Sequence, residues 1–450
     1  MKNSFATGSD QRMEPLTTLD GLRRHIAALA CVEETEAPFV SCYLNLERGA
    51  DGYRKVLADR AFALRSILKG ATHADFETAM RSIEGYLAEK IRPDAKGVAL
   101  FSRSVRAGAY FLPMQFAAPL PDWVAVYPTP NLFHLMALKD TYHRYVVLLA
   151  TQTRVRILEV DLGAVTVQAW TDKPELRERV GREWTKEHYE SHRRERTSCF
   201  LKEQIELLKR LMARGGHTYL ILAGEPRATG EIRRALPKSL AAKLVDTIPA
   251  AGRHTQGDVV AATLSSFVEW EEQESQAVAA RFVQGIRTQG LAAAGAAACL
   301  DALRQRRVDV LLIARDHVQE HGWRCAACGA IRIEHDEPAV CPECGKAAVQ
   351  PVDVKEELAR LSGQQDCPVE VVEHCDPLMA LGGVGCLLRY VPERSAFRER
   401  LPGVPDSRSA QRDVRHEAAL DETDVLRHVD DSPPRHGLPR QFPLQRADRG

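Results

Sequence analysis

Two short cysteine pairs constrain this chain more than anything else in it. Cys325-Ala-Ala-Cys328-Gly and Cys341-Pro-Glu-Cys344-Gly are separated by twelve residues. In each pair a tight turn points two thiolates at one spot, and the following glycine lets backbone amides close around the sulfurs. Two such knuckles supply four soft ligands, Cys325, Cys328, Cys341 and Cys344, for a closed tetrahedral Zn2+ site. No ligand position stays open, so the expected metal is structural. The alternative for such a quartet is four unliganded or redox-active thiols. Eleven cysteines are an odd number for a disulfide framework, and the other seven are scattered singly. In a reducing compartment such isolated cysteines are small buried hydrophobes, whereas a cluster is a metal site.

The rest of the chain supplies bulk. Its 450 residues leave room for roughly three domains of ~150 residues. Lys plus Arg and Asp plus Glu number 61 each, so the formal net charge is zero. That balance excludes a highly basic nucleic-acid coat and an acidic tail protein, but leaves room for local basic patches. The most apolar runs, Tyr145–Ala150 and Val308–Ile313, fall far short of the ~20 residues of a membrane-spanning helix. The polar Met1–Asp10 stretch lacks the apolar core of a signal peptide. The expected location is the cytoplasm.

Periodicity divides the chain into regions. A short helix is expected at Leu19–Ala30 and an alternating strand at Phe39–Leu46. Two amphipathic helices follow, one on Leu57, Ala61, Leu64 and Leu68, the other on Phe76, Met80, Ile83 and Leu87. Strands at Gly97–Phe101, Ala107–Leu112 and Trp123–Tyr127 complete an α+β region. A second region opens with strands at Tyr145–Ala150, Arg154–Val160 and Val165–Trp170. It continues through a charged stretch to a helix carrying Leu201, Ile205, Leu208 and Met212. A strand at Thr218–Ala223, another helix, a strand at Lys243–Ile248 and a long helix at about Asp258–Arg281 follow. The third region begins with an alanine-rich helix expected over Leu291–Arg304 and a buried-type strand at Val308–Ala314. After the cysteine quartet come a helix at Val354–Leu361 and strands at Val369–Glu373 and Val384–Tyr390. Residues 393–450 are rich in Arg, Asp, Pro and Ser with few large apolar residues, the composition of a disordered tail.

The third region carries a specific resemblance. Val308-Asp-Val-Leu-Leu-Ile-Ala-Arg-Asp316, the four-cysteine ribbon, Cys367-Pro-Val-Glu-Val-Val372 and Leu381-Gly-Gly-Val-Gly-Cys-Leu-Leu-Arg-Tyr390 together resemble the C-terminal domain of archaeal and eukaryotic class-1 peptide chain release factors. That domain is similar to ribosomal protein L7Ae, and archaeal members carry a zinc ribbon at this place. The second region is similar to the middle domain of those factors in its order of elements, and the first resembles their N-terminal domain in strand–helix–helix–strand order. The group the whole resembles is the bacterial archaeo-eukaryotic-type release factor family. The resemblance implies an α/β chain of three domains: an α+β N-terminal domain at 1–138, an RNase H-like middle domain at 139–276, and an L7Ae-like α/β/α C-terminal domain at 277–391. A zinc ribbon is inserted at 323–349, and the tail occupies 392–450.

Two family signatures are missing. The loop before the long middle-domain helix carries Gly-Gly-Gln in true release factors; here it reads Arg179-Val-Gly-Arg-Glu-Trp-Thr-Lys186. Gly215-Gly216-His217 follows the helix instead of preceding it, where a glycine pair is the expected left-handed stop. The stop-codon signatures Asn-Ile-Lys-Ser and Tyr-x-Cys-x-x-x-Phe do not occur. No catalytic residue is therefore assigned. The expected function is a ribosome-associated, release-factor-like translation factor without peptide-release catalysis, acting in rescue, quality control or stress. Its expected partners are the ribosome or tRNA and, as in the relatives, a translational GTPase. The alternatives are peptidyl-tRNA hydrolysis by a different loop, using Gly181 with Glu183 or Lys186, and an RNA-binding scaffold outside translation.

Candidate RNA contacts lie in the same charged stretch: Arg179, Arg182, Trp184, Lys186, Arg193, Arg194 and Arg196. Guanidinium groups grip phosphates bidentately, and an exposed aromatic can stack on an unpaired base. Nearly as many glutamates lie there, so a solvated, salt-bridged helix is the competing reading. His188 and His192 are four apart, but Tyr189 stands where a metalloprotease helix needs glutamate, so they are not assigned to a metal.

Overall fold

The structure, a computed structural model, describes residues 15–390 apart from 36, 105–107, 152–153, 173–185, 216, 251–255, 317–320, 334–337 and 374. The expected tail at 392–450 lies outside the described residues. The architecture is mixed α/β with four sheets.

Helix α1 (Leu19–Ala30) starts at Thr18, whose Oγ1 accepts from Gly21 N at 3.2 Å, a conventional N-cap. Leu22, Ile26 and Leu29 recur at helical spacing and are buried. Strand β1 (Phe39–Asn45), helices α2 (Gly49–Ile67) and α3 (Gly70–Glu89), and strands β2 (Gly97–Arg103), β3 (Tyr110–Phe116) and β4 (Trp123–Tyr127) follow. They form an antiparallel sheet of order β3-β2-β1-β4. Alternation along β1 sends Val40, Cys42 and Leu44 to the face covered by α2 and α3. Tyr43 goes to the opposite face with Ala99, Phe101, Met114 and Phe116.

Helix α4 (Phe133–Thr141) covers that opposite face. Periodicity did not announce it, for a physical reason: Phe133, Leu135, Met136, Ala137 and Leu138 are all buried, so no polar stripe marks an outer side.

The next region holds β5 (Tyr145–Ala150), β6 (Arg154–Asp161), β7 (Ala164–Asp172), α5 (Lys186–Gly215), β8 (Tyr219–Gly224), α6 (Pro226–Ala235), α7 (Lys238–Ala241), β9 (Leu244–Pro249) and α8 (Gln256–Arg287). Its five-stranded sheet has the order β7-β6-β5-β8-β9. β5–β6 and β6–β7 pair antiparallel, and β5–β8 and β8–β9 parallel. Val146, Leu148, Leu220 and Leu222 face α5, α6 and α7. Tyr145, Val147 and Ile221 face Phe267 of α8. Burial on both faces explains why β5 and β8 read as continuous apolar runs.

The last region comprises β10 (Ala292–Ala294), α9 (Ala296–Arg304), β11 (Val308–Ala314), β12 (His321–Cys325), β13 (Ile331–Arg332), β14 (Val349–Asp353), α10 (Val354–Gln365), β15 (Val369–Val372), α11 (Asp376–Ala380) and β16 (Val384–Leu388). The sheet order is β10-β16-β11-β15, and β13-β12-β14 form a separate ribbon. Here one expectation fails. The alanine-rich stretch from Leu291 is not one helix: Ala292–Ala294 pairs antiparallel with Leu387, Cys386 and Gly385, and Gly295 at φ +83° breaks the chain before α9. Alanine's helix propensity loses to an open sheet edge.

The Gly-Gly-Val-Gly motif has a packing cause. Gly382 and Gly383 have φ of +94° and +70°, a conformation that side chains resist. A Cβ on Gly385 would run into the ring of Phe282 from α8.

A single hydrophobic cluster links the first and last regions. It runs from Leu22, Ile26 and Leu29 of α1 through Met136 of α4 to Leu358 and Ala359 of α10 and Ile313 of β11. Gly363 of α10 is tightly packed against it: an added Cβ would sit 3.0 to 3.2 Å from Met136, Ala30 and Ile26.

Candidate functional site

The ribbon brings the four predicted cysteines together. Its two knuckles are built alike. Gly329 N donates to Cys325 O and Gly345 N to Cys341 O, both at 2.8 Å; Cys325 N donates to Ala330 O at 2.8 Å and Cys341 N to Lys346 O at 2.9 Å. Gly329 and Gly345 take φ of +73° and +68°, the turn that aims amides back at the sulfurs. Strands β12 and β14 pair from His321–Asp353 to Cys325–Val349, and buried Trp323 packs beneath Cys325 and Cys341.

The sulfur geometry suits a tetrahedral ion. Cys325 Sγ is 3.6 Å from Cys344 Sγ, and Cys328 Sγ 3.6 Å from Cys341 Sγ; all four ligand atoms lie within 4.8 Å of one another. Tetrahedral ligands at about 2.3 Å from zinc stand about 3.8 Å apart. The protons respond to this crowding. Burial raises the Cys325 thiol, but the backbone amides of Cys328 and Ala327 outweigh it and bring the group down to about 7. The Ala330 amide favours the Cys328 thiolate, yet its sulfur neighbours push that thiol up to about 12. Four thiolates at this spacing need a cation among them, and the quartet could hold a metal such as zinc. Among the described residues no other group of three or more His, Cys, Asp or Glu converges this way.

The other predicted contacts are placed unevenly. Arg179, Arg182 and Trp184, together with Gly181 and Glu183, lie outside the described residues. Lys186, Arg193 and Arg194 fall on the backbone of α5, as do His188 and His192, and Arg196 is exposed on the same helix. Gly215 is the last residue of α5 and has no positive φ, and Gly216, the other half of the expected stop, lies outside the described residues. A Cβ there would meet the ring of His217, which is buried with Nε2 3.4 Å from Glu159 Oε2. Lys243 Nζ donates to His217 O at 2.6 Å. This histidine is a packing element behind the sheet.

Two sets of residues escaped the sequence reading. Arg227, Arg233, Arg234 and Lys238 are exposed on α6 and α7; their local excess over acidic residues was the available signal. Glu356 is the other: its Oε2 accepts from Leu132 N at 2.6 Å and Phe133 N at 3.1 Å, capping α4 from 224 residues away. No sequence pattern marks a cap supplied at that distance.

Comparison with known proteins adds the family. Residues 130–267 match the bacterial archaeo-eukaryotic release factor family 10. Over that segment the chain is similar to the bacterial archaeo-eukaryotic release factor family. This release-factor segment contains the five-stranded sheet with α5, α6 and α7. A stretch of 124 residues is 32% identical to peptide chain release factor subunit 1 of Thermoplasma acidophilum, covering 25% of this chain and 30% of the relative. The match thus spans under a third of that relative's length. Among solved structures, an archaeal translation termination factor is similar at 15% identity and a TM-score of 0.24, covering 83% of this chain and 98% of the other. Ribosome-bound archaeal Pelota is similar at 15% identity and a TM-score of 0.36, covering 86% and 99%. The resemblance rests on the sequence match. Among the described residues no helix is long and apolar enough to cross a membrane.

Proposed function

We propose that this protein is a ribosome-associated, release-factor-like translation factor that occupies a vacant or stalled A site without hydrolysing peptidyl-tRNA. The observation that carries this reading is the release-factor match over residues 130–267, in a chain whose corresponding loop lacks Gly-Gly-Gln. The segment from Arg179 to Arg196 is the part assigned to RNA. The proposed layout has three domains, at 1–138, 139–276 and 277–391. The β7-β6-β5-β8-β9 order supports an RNase H-like middle domain, and the β10-β16-β11-β15 sheet supports an L7Ae-like one. Zinc at the four cysteines stiffens the ribbon, which offers a surface to a translational GTPase. The proposed location is the cytoplasm.

Two measurements test this together. The purified protein is expected to co-sediment with bacterial ribosomes at moderate salt and to release no peptide from loaded ones. Failure to sediment overturns the ribosomal reading. Release activity that is lost in Glu183→Ala or Lys186→Ala replaces it with peptidyl-tRNA hydrolysis by those side chains.

A further inference from the structure

The five-stranded sheet separates two helical layers of opposite charge. Helices α5, α6 and α7 cover one face and α8 the other. From Glu195 to Lys238 the chain carries nine Lys or Arg against five Glu. From Gln256 to Ala280, on α8, it carries five Asp or Glu and no Lys or Arg. The pattern lies on the outside of the fold: Arg210, Arg214, Arg233, Arg234 and Lys238 are exposed, as are Glu269, Glu272 and Glu274. Two acidic residues of the basic layer are partly engaged, Glu206 with Lys209 at 3.7 Å and Glu231 with Arg227 at 3.8 Å. Arg210, Arg214, Arg233, Arg234 and Lys238 have no carboxylate partner among the described residues.

Distance keeps the two signs apart. Two helices, each about 10 Å across, put the outer faces more than about 20 Å apart even before the sheet is counted. The Debye length in physiological salt is about 8 Å. Each face therefore presents its own sign to a partner, and neither cancels the other.

We infer that the outer surface of α5, α6 and α7 is an RNA-backbone docking face, with the acidic α8 layer turned away from the RNA. This rests on the ribosomal reading above and adds a face and an orientation to it. Phosphates meet the cations of one layer, while rotation about the sheet would bring them against the α8 carboxylates. The charge asymmetry thus selects one docking orientation as well as supplying attraction. The face takes in α6 and α7 as well as the described part of α5.

The experiment compares two quadruple variants of the full-length, metal-loaded chain for binding to purified bacterial ribosomes across a salt series. One is Arg227→Ala, Arg233→Ala, Arg234→Ala and Lys238→Ala. The other removes the same charge elsewhere: Arg281→Ala, Arg287→Ala, Arg304→Ala and Arg306→Ala, all exposed. The first is expected to weaken binding about tenfold or more and to lower the slope of log affinity against log salt by about 3. The second is expected to stay within about twofold of the parent. Equal losses in both variants, or none in the first, overturn the assigned face while ribosome binding itself still stands. No binding by the parent overturns both readings. A measurement without substitutions gives a second check: ribosome binding should protect Lys202, Lys209 and Lys238 from acetylation, and unchanged reactivity at all three rejects the face.

Discussion

The cysteine ribbon and the seam between α1, α4 and α10 are held together by opposite means. In the ribbon the backbone hydrogen bonds that close each knuckle join residues four or five apart, and the turns repeat on both sides. In the seam the partners are hundreds of residues apart: Glu356 caps α4, and Gln364 Nε2 donates to Ala30 O at 2.8 Å. Little apolar surface supports the ribbon, whose buried cluster is Trp323, Cys325, Ala330 and Cys341. The seam belongs to a cluster that joins the first and last sheets. The difference teaches where stability can come from in each place: the four cysteines of the ribbon could hold a metal, whereas the seam relies on shape complementarity.

Removing the ion is therefore expected to give the largest effect. A structural zinc contributes on the order of 10 kcal/mol to the order of a small module. Cys341→Ser should reduce bound metal from about one zinc per chain to a small fraction. Hydrogen exchange should then rise across residues 321–353 while β5 and β8 keep their protection. If exchange rises equally in the five-stranded sheet, the ribbon is not an independently held element and the contrast with the seam fails.

The seam should respond in the reverse manner. Ile26 is 3% exposed and lies against the Gly363 contact, so Ile26→Ala leaves a cavity costing about 3 kcal/mol. Global unfolding in denaturant should shift accordingly, with zinc content unchanged. A loss of metal in this variant would show that ribbon and seam are one cooperative unit.

The same contrast governs what could be read from the sequence. The ribbon was legible because its signal is local: two glycines, four cysteines and fixed spacings. So were α1, β11 and the stripe on α5, where burial on one side leaves a period. Helix α4 left no trace because five of its first six residues are buried and its cap belongs to Glu356. The strand Ala292–Ala294 read as helix because only pairing with Gly385–Leu387 overrides alanine. The opposed charges of the two helical layers were present in the composition of each helix, yet their meaning depends on a sheet that puts α6 beside α5 and α8 behind both.

The finest test of the seam is its pH dependence. Burial and the neighbouring Asp353 carboxylate push Glu356 up to about 7, against the lowering pull of the Phe133 and Leu132 amides. A carboxyl raised in the folded state holds its proton more tightly there than in the unfolded chain, so protonation favours folding. The contribution is full below the unfolded value near 4.5 and is lost as pH climbs to about 7. Glu356→Gln keeps an acceptor for the α4 amides but cannot titrate. Burial also raises Asp140 and Glu370 and lowers His134 to about 4, shifts that act on stability with opposite signs and are common to both proteins. The difference between them isolates Glu356. Between pH values of about 8 and 5.5, the parent should gain about 1–2 kcal/mol more than the variant, after allowance for solvent screening. Parallel stability curves would mean that Glu356 is ionised in the fold at both pH values, and that its cap on α4 is as well solvated as an ordinary surface cap.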